Sequence, residues 1–250
     1  MPQDDATVQT WRDALAEEPT GTDLSDIGGY GEEEPPWRFD SQARTLAQVT
    51  HRLLVLGDGG EALLESLGED RPEEAVASAA DPASLPFEDD SFDLVIARHA
   101  PFDAAEVFRV LAPEGTFATQ QVGPDDLHEI HEALGIDVPS DAPSLQVIER
   151  ELTNAGFSIE RSDAFRGRAV VTDVVSLLRF LRRMPWTTEQ DLDVDAHRDA
   201  LERIAERLEQ GPLELGISRF WVLARTPEAP RPAVTDFSQL LDDRPDVPEV

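Results

Sequence analysis

The stretch Asp81-Pro-Ala-Ser-Leu-Pro-Phe-Glu-Asp-Asp-Ser-Phe-Asp-Leu-Val-Ile-Ala-Arg-His-Ala-Pro-Phe-Asp-Ala-Ala-Glu-Val-Phe-Arg-Val-Leu-Ala-Pro-Glu-Gly-Thr-Phe-Ala-Thr-Gln-Gln-Val-Gly123 decides the fold. Phe92 to Ala97 is a short apolar run behind an acidic turn (Glu88, Asp89, Asp90). It reads as a buried parallel strand. Ala104, Val107, Phe108 and Leu111 then recur at helical spacing. Pro113-Glu-Gly115 stops that helix and turns the chain. Gly115 to Val122 is a second strand. The result is one strand–helix–strand unit whose right-handed crossover covers one face of a parallel sheet.

Outward from this unit, Arg52-Leu-Leu-Val-Leu-Gly57 is an apolar strand that runs into Gly57-Asp58-Gly59-Gly60 and a helix over Glu61 to Leu67. A glycine turn between strand and helix lets backbone N–H groups approach a ligand and sets a helix N-terminus against negative charge. One further strand is visible around Glu74 to Ser78. Upstream, Thr7 to Ala16 is a short helix with Val8, Trp11 and Leu15 on one side, and Gly21 to Pro36 is a Gly-, Glu- and Pro-rich loop. Ser41 to Thr50 is a helix with Leu46 and Val49 inward. Downstream, helices are expected over Asp125 to Leu134, Ser144 to Ala155, a segment capped by Thr172 and ending at Pro185, and Asp195 to Gln210. Strands are expected over Phe157 to Phe165 and Ile217 to Arg225. From Thr226 the chain is Pro-rich and acidic and reads as a disordered tail, with Phe237, Leu240 and Leu241 as a short docking segment within it.

The central stretch resembles class I S-adenosylmethionine-dependent methyltransferases of type 11. In that family an acidic residue precedes a Leu-Pro-Phe, acidic, Ser-Phe-Asp-Leu-Val segment, and a helix ending in Arg-Val-Leu leads into the fifth strand. Asp81, Leu85 to Phe87, Ser91 to Val95, Glu106 to Leu111 and Gly115 carry the likeness. It implies a Rossmann-like, doubly wound, mostly parallel sheet with an antiparallel last strand beside the fifth. It implies residues 1–40 as an N-terminal arm or lid, 41–226 as the methyltransferase-like domain with helical insertions near 125–155 and 173–212, and 227–250 as the tail. Two departures stand out. Val55 occupies the place of the family's strand acid, and the glycine loop is one residue short. Between Gly60 and Phe92 lie about 32 residues. A single strand–helix–strand unit takes roughly 30, so one strand–helix unit is missing. With it goes the acid that bonds the cofactor ribose at the end of the second strand.

The resemblance implies S-adenosylmethionine as cofactor. Gly57, Asp58, Gly59, Gly60, Asp81, Leu85 and Arg98 fall at its site, Asp81 toward the adenine and Gly57 and Gly59 toward the amino-acid end. Open α/β sheets bind ligands at the carboxyl ends of their strands. That rule places His99, Gln120 and Gln121 at the substrate side, with His99 as base or substrate-orienting group. Trp37 and Trp186 are the aromatic candidates for the mouth of the site; packing of the arm is the favoured reading of Trp37, and packing of a helix end the alternative for Trp186. The implied function is methyl transfer to an unknown small-molecule or protein substrate. The alternative is a non-catalytic relative that kept the sheet and serves as a binding or scaffold module. A nicotinamide oxidoreductase fits the order of motifs poorly.

Composition narrows the partners. The chain has 250 residues, no cysteine, and 52 acidic against 21 basic residues, all of the latter Arg, for a formal charge of −31. Disulfides and thiolate metal sites are excluded. The remaining histidines show no metal-ligand spacing. The acid is spread end to end, which disfavours nucleic acid and anionic membranes and fits a halophilic, salt-filled cytoplasm where self-repulsion is screened. No run of eighteen apolar residues exists and the N-terminus lacks a basic-then-apolar pattern, so the expected location is cytoplasmic.

Overall fold

The computed structural model describes residues 4–17, 24–135, 143–183 and 192–228. Seven strands form one mixed sheet: β1 (Tyr30–Glu32), β2 (Arg52–Leu56), β3 (Glu74–Ser78), β4 (Phe92–Arg98), β5 (Leu111–Val122), β6 (Ser158–Val171) and β7 (Leu213–Arg225). Their order across the sheet is β1-β6-β7-β5-β4-β2-β3. β3, β2, β4 and β5 pair in parallel, and β7 runs antiparallel between β5 and β6. The expected doubly wound sheet with an antiparallel last strand is therefore present. A single strand, β3, stands between the first glycine turn and β4, directly beside β2, and the sheet ends on it.

The strands explain their own burial. Leu53, Leu54, Val55 and Leu56 in β2 and Leu94, Val95, Ile96 and Ala97 in β4 are all buried, as strands covered on both faces must be. On one face α4 (Ala104–Val110) and α6 (Leu145–Ala155) pack Val107, Val110, Ile148 and Leu152 against Leu54, Val95, Phe117 and Val222. On the other face α2 (Phe39–Ala47) and α3 (Gly60–Leu67) pack Phe39, Ala43, Leu63 and Leu64 against Leu53, Val55, Leu94 and Ile96. Trp37 and Trp221 complete that layer.

A third cluster lies elsewhere. β6 and β7 pair from Ser158–Arg225 to Val171–Leu213, whereas β5 leaves β7 at Val122, opposite Arg219. The hairpin thus projects beyond the carboxyl end of β5. Around the projection gather α1 (Asp5–Ala16), α5 (His128–Leu134), α7 (Val174–Arg183) and α8 (Arg198–Leu208). Their stripes (Val8 and Trp11; Ile130 and Leu134; Leu177, Leu178 and Leu181; Leu201 and Ile204) close on Ala169, Val171, Leu215 and Ile217. This lobe stands over the end of the sheet where a ligand is expected.

Three local expectations need correction. Residues 21–36 read as loop, yet Tyr30–Glu32 pairs with Val171–Ala169 as the edge strand β1. Exposed strand pairing carries little hydrophobic signal in so short a segment. Val49 lies past the end of α2 and is 82% exposed, while Ala43 and Ala47 turn inward. The cap of α7 is Asp173, whose carboxylate accepts from the Ser176 N–H at 2.8 Å, and not Thr172, whose own N–H bonds Gly29. The helix end at Pro185, Trp186 and the tail from 229 lie outside the described residues.

The segment before β4 is held by ions. Glu106 on α4 accepts the Leu85 N–H at 2.9 Å. Arg109 donates to the Leu85 and Phe87 carbonyls and pairs with Glu106 and Asp89. The Arg109 guanidinium and the Leu85 N–H hold the Glu106 carboxyl down at about 2. A depressed carboxyl stabilises above its unfolded pKa, and the gain is lost as pH falls toward the folded value. Glu106→Gln should therefore cost about 1–3 kcal/mol near neutrality. Urea denaturation should show that difference shrinking as pH drops from 4.5 toward 2.

Candidate active site at the carboxyl ends of the strands

The glycine turn follows β2 as the sequence requires. Gly57 has φ +94°, and a Cβ there would lie 2.4 Å from that of Ala100, so only glycine fits between the ends of β2 and β4. Its N–H bonds the Ser78 carbonyl at 2.8 Å, tying the turn to β3 as well. Gly60 begins α3 against Ala77 and the Val55 carbonyl, where a Cβ would meet them at 2.9 and 3.2 Å. Gly59, at the crest, meets nothing within 4 Å. Asp58 and Gly59 are exposed there. The turn thus presents open backbone at the start of a helix, the arrangement that suits a ligand approaching closely. The residues present fit the amino-acid end of an S-adenosylmethionine molecule.

Asp81 follows the strand that lies directly beside β2; it is exposed, and its carboxylate accepts the Ala83 N–H at 3.0 Å. Leu85 is buried below it, its main chain committed to Glu106 and Arg109. Arg98 ends β4 and pairs with Asp40 of α2 at 2.6 Å, drawing that helix across the strand end. His99 follows in the left-handed region at φ +50°, its N–H on the Gln120 carbonyl at 2.8 Å. Its Nε2 lies 3.1 Å from the Gln120 side-chain amide. Burial, reinforced by the nearby Arg98 and Arg219 charges, pushes the imidazole down to about 3. His99 is neutral at physiological pH and suits a hydrogen-bonding role better than that of a strong base.

Gln121 is also buried, with its amide on the Ala100 carbonyl and the Thr119 hydroxyl, both at 2.9 Å. Thr119 in turn donates to the Ala97 carbonyl at 2.8 Å. This polar ladder locks the ends of β4 and β5 together inside an otherwise apolar layer. Trp37 is buried edge-on to Phe165 and 6.5 Å from Trp221, so it fastens the segment before α2 to the sheet. The structure therefore gathers Gly57 to Gly60, Arg98, His99, Gln120 and Gln121 at one end of the sheet.

One pair in this region escaped the sequence reading. Asp126, in the loop after β5, is only 6% exposed and is joined to Arg219 of β7. Their 93-residue separation leaves no local signal; only the β5–β7 register brings them together.

A parallel sheet bearing a glycine turn after its first parallel strand, with an antiparallel strand beside the fifth, defines a Rossmann-like fold of the methyltransferase type. Residues 41–119 match the Methyltransferase domain family, a span that includes the glycine turn, Asp81 and the Leu85–Val95 segment. The match agrees with the resemblance drawn from Asp81 to Gly123 as far as residue 119. Among the solved structures that share the fold are two bacterial proteins. One is a candidate methyltransferase from Bacillus halodurans C-125, 15% identical, covering 75% of this chain and 98% of that one, with a TM-score of 0.51. The other is the YcgJ protein from Bacillus subtilis, 15% identical, covering 76% and 99%, also at 0.51. At such identity the likeness is one of fold. No curated protein matches the sequence. Among the described residues no helix is long and apolar enough to cross a membrane.

Two measurements probe this geometry. Gly57→Ala should destabilise the protein by about 1–3 kcal/mol in thermal unfolding, because the left-handed backbone and the Ala100 contact both resist a methyl group. In NMR titration of the imidazole signals, the His99 ring should stay neutral from pH 8 down to 5.

Proposed function

We propose that the protein is an S-adenosylmethionine-dependent methyltransferase. The observation that carries this is the turn Gly57–Gly60: its crest is open, its flanks are pinned to Ser78 and Ala100, and it lies within the matched span 41–119. Gly57, Asp58, Gly59 and Gly60 hold the amino-acid end of the cofactor. Asp81, three residues past the strand beside β2, serves the nucleoside end. Arg98, paired with Asp40, shapes the wall between the two. When bound, S-adenosylmethionine supplies an electrophilic methyl group. The chain's own part is to align an acceptor with it, and alignment alone provides a large share of the rate.

The ends of β4 and β5 are suited to that task. Neutral His99 and the amides of Gln120 and Gln121 offer directional hydrogen bonds without a competing charge. Residues 41–226 form the transferase unit. The arm before it contributes α1 and β1 to the lobe at the carboxyl end, and by its position acts as the cover of the acceptor side. Trp186, from the connection after α7, remains a candidate for the mouth. The abundant acid suits a cytoplasm rich in salt.

Calorimetric titration in molar KCl tests the reading. S-adenosylmethionine and S-adenosylhomocysteine should both bind in the micromolar range, and Gly59→Arg, which fills the open crest, should abolish binding without unfolding the protein. A folded wild type that binds neither would leave a scaffold with this ancestry in place of an enzyme.

A further inference from the structure

Asp126 lies in an unusual environment. The loop that carries it is fastened to β7: the Gly123 N–H bonds the Ser218 carbonyl at 3.0 Å, and the Leu127 N–H bonds Gly216 at 2.8 Å. A Cβ on Gly123 would strike Ser218 Oγ at 2.2 Å, so glycine permits the approach. Leu127 takes a left-handed φ of +52° to let the chain enter α5. These constraints aim the Asp126 side chain inward rather than leaving it in solvent. Its Oδ1 accepts the Ser218 N–H at 2.8 Å and pairs with Arg219. Its Oδ2 is buried and, among the described residues, meets no hydrogen-bond donor.

The surroundings give this oxygen a direction. Asp126 follows β5 five residues after Gln121, and Arg219 stands opposite Val122 across the β5–β7 pair. Arg219 is close enough to His99 to lower its basicity. Tyr30 of β1 feels both Asp126 and Arg219, and its hydroxyl donates to Glu32 at 2.7 Å. Groups on β1 and β7, after β4 and after β5 therefore lie within electrostatic reach of one another where the lobe meets the strand ends. Arg219 offsets the charge of the Asp126 carboxylate at its Oδ1 and leaves Oδ2 without a cation of its own among the described residues. Burial holds the Asp126 carboxyl above its ordinary range in spite of Arg219. A buried carboxylate oxygen without a donor is costly to keep, and the cost is recovered when a ligand supplies one.

We infer that Asp126, set against Arg219, anchors the methyl acceptor, and that the acceptor presents an N–H or O–H group to the unpartnered oxygen of its carboxylate. The inference rests on the methyltransferase reading and narrows it to amine- or hydroxyl-bearing acceptors. A carboxylate or phosphate acceptor would meet like charge at this point.

Sinefungin offers a probe that needs no knowledge of the acceptor, since it carries an amine where the cofactor carries its transferable methyl. Calorimetry on the full chain at neutral pH should show sinefungin binding about tenfold more tightly than S-adenosylhomocysteine. Asp126→Asn, which keeps the acceptor for Ser218 and Arg219 but places an amide donor at Oδ2, should remove that preference and leave S-adenosylhomocysteine affinity unchanged. Retained S-adenosylhomocysteine binding shows the variant is folded. If the variant binds neither ligand, Asp126→Glu takes its place, and there a shifted ratio supports the anchor. An equal affinity of the wild type for the two ligands, or a preference that survives substitution, overturns it. Failure of the wild type to bind either ligand overturns the methyltransferase reading together with it.

Discussion

The antiparallel contact between β7 and its two neighbours is the constraint on which the rest depends. On one side, β7 completes the sheet by pairing from Thr116–Arg225 to Val122–Arg219. On the other, it continues with β6 for six residues beyond that point, to Leu213. One strand therefore belongs to two structures, the doubly wound sheet and the helical lobe. The position of the lobe over the strand ends follows from hydrogen bonds along a single ladder. Arg219 stands at the junction, and the groups it reaches, Asp126 and His99, belong to the end of the sheet.

At that end, small residues and buried polar groups divide the work. Gly57 and Ala100 let the ends of β2 and β4 come within contact distance, which a larger pair would forbid. Thr119 and Gln121 then satisfy the carbonyls of Ala97 and Ala100 from within the layer. A polar group inside an apolar layer is tolerated when it is hydrogen-bonded, and it fixes one arrangement among many. The same two elements leave the crest of the glycine turn bare. Rigidity below and openness above are what a site needs if its ligand is to be aligned rather than merely held.

Much of this was legible from residue order. Apolar runs gave β2 and β4, helical spacing gave α4, α6 and α7, and the Leu-Pro-Phe segment with Ser91 to Val95 tied them to one fold. The glycine turn was found because turn chemistry is local. What escaped was of another kind. β1 is three residues long and half-exposed, and it exists because β6 offers it an edge. Val49 obeys helical spacing, but α2 stops before it. Asp173 displaces Thr172 as a cap because the helix begins at Val174, and the Thr172 hydroxyl bonds the Gly29 carbonyl instead. The Asp126–Arg219 pair is the clearest case, since in sequence it is one aspartate among many and one arginine among 21 basic residues. Its meaning arises only when a loop after β5 is fastened to a strand some ninety residues on.

The sheet ends on β3, and that ending bears on how copies of the protein behave when crowded together. β3 gives one side of its backbone to β2 and, among the described residues, pairs with no strand on the other. Bare strand edges invite like edges to join them, the first step of aggregation. Here the approach is guarded by the exposed Glu73 and Glu74 at the start of the strand and by Asp81 soon after its end. The strand itself is only five residues long. Two such edges would have to bring their carboxylates together before their backbones could meet. The acid so abundant in this chain therefore acts here as a fence as well as a coat, keeping the sheet's last strand from recruiting a neighbour.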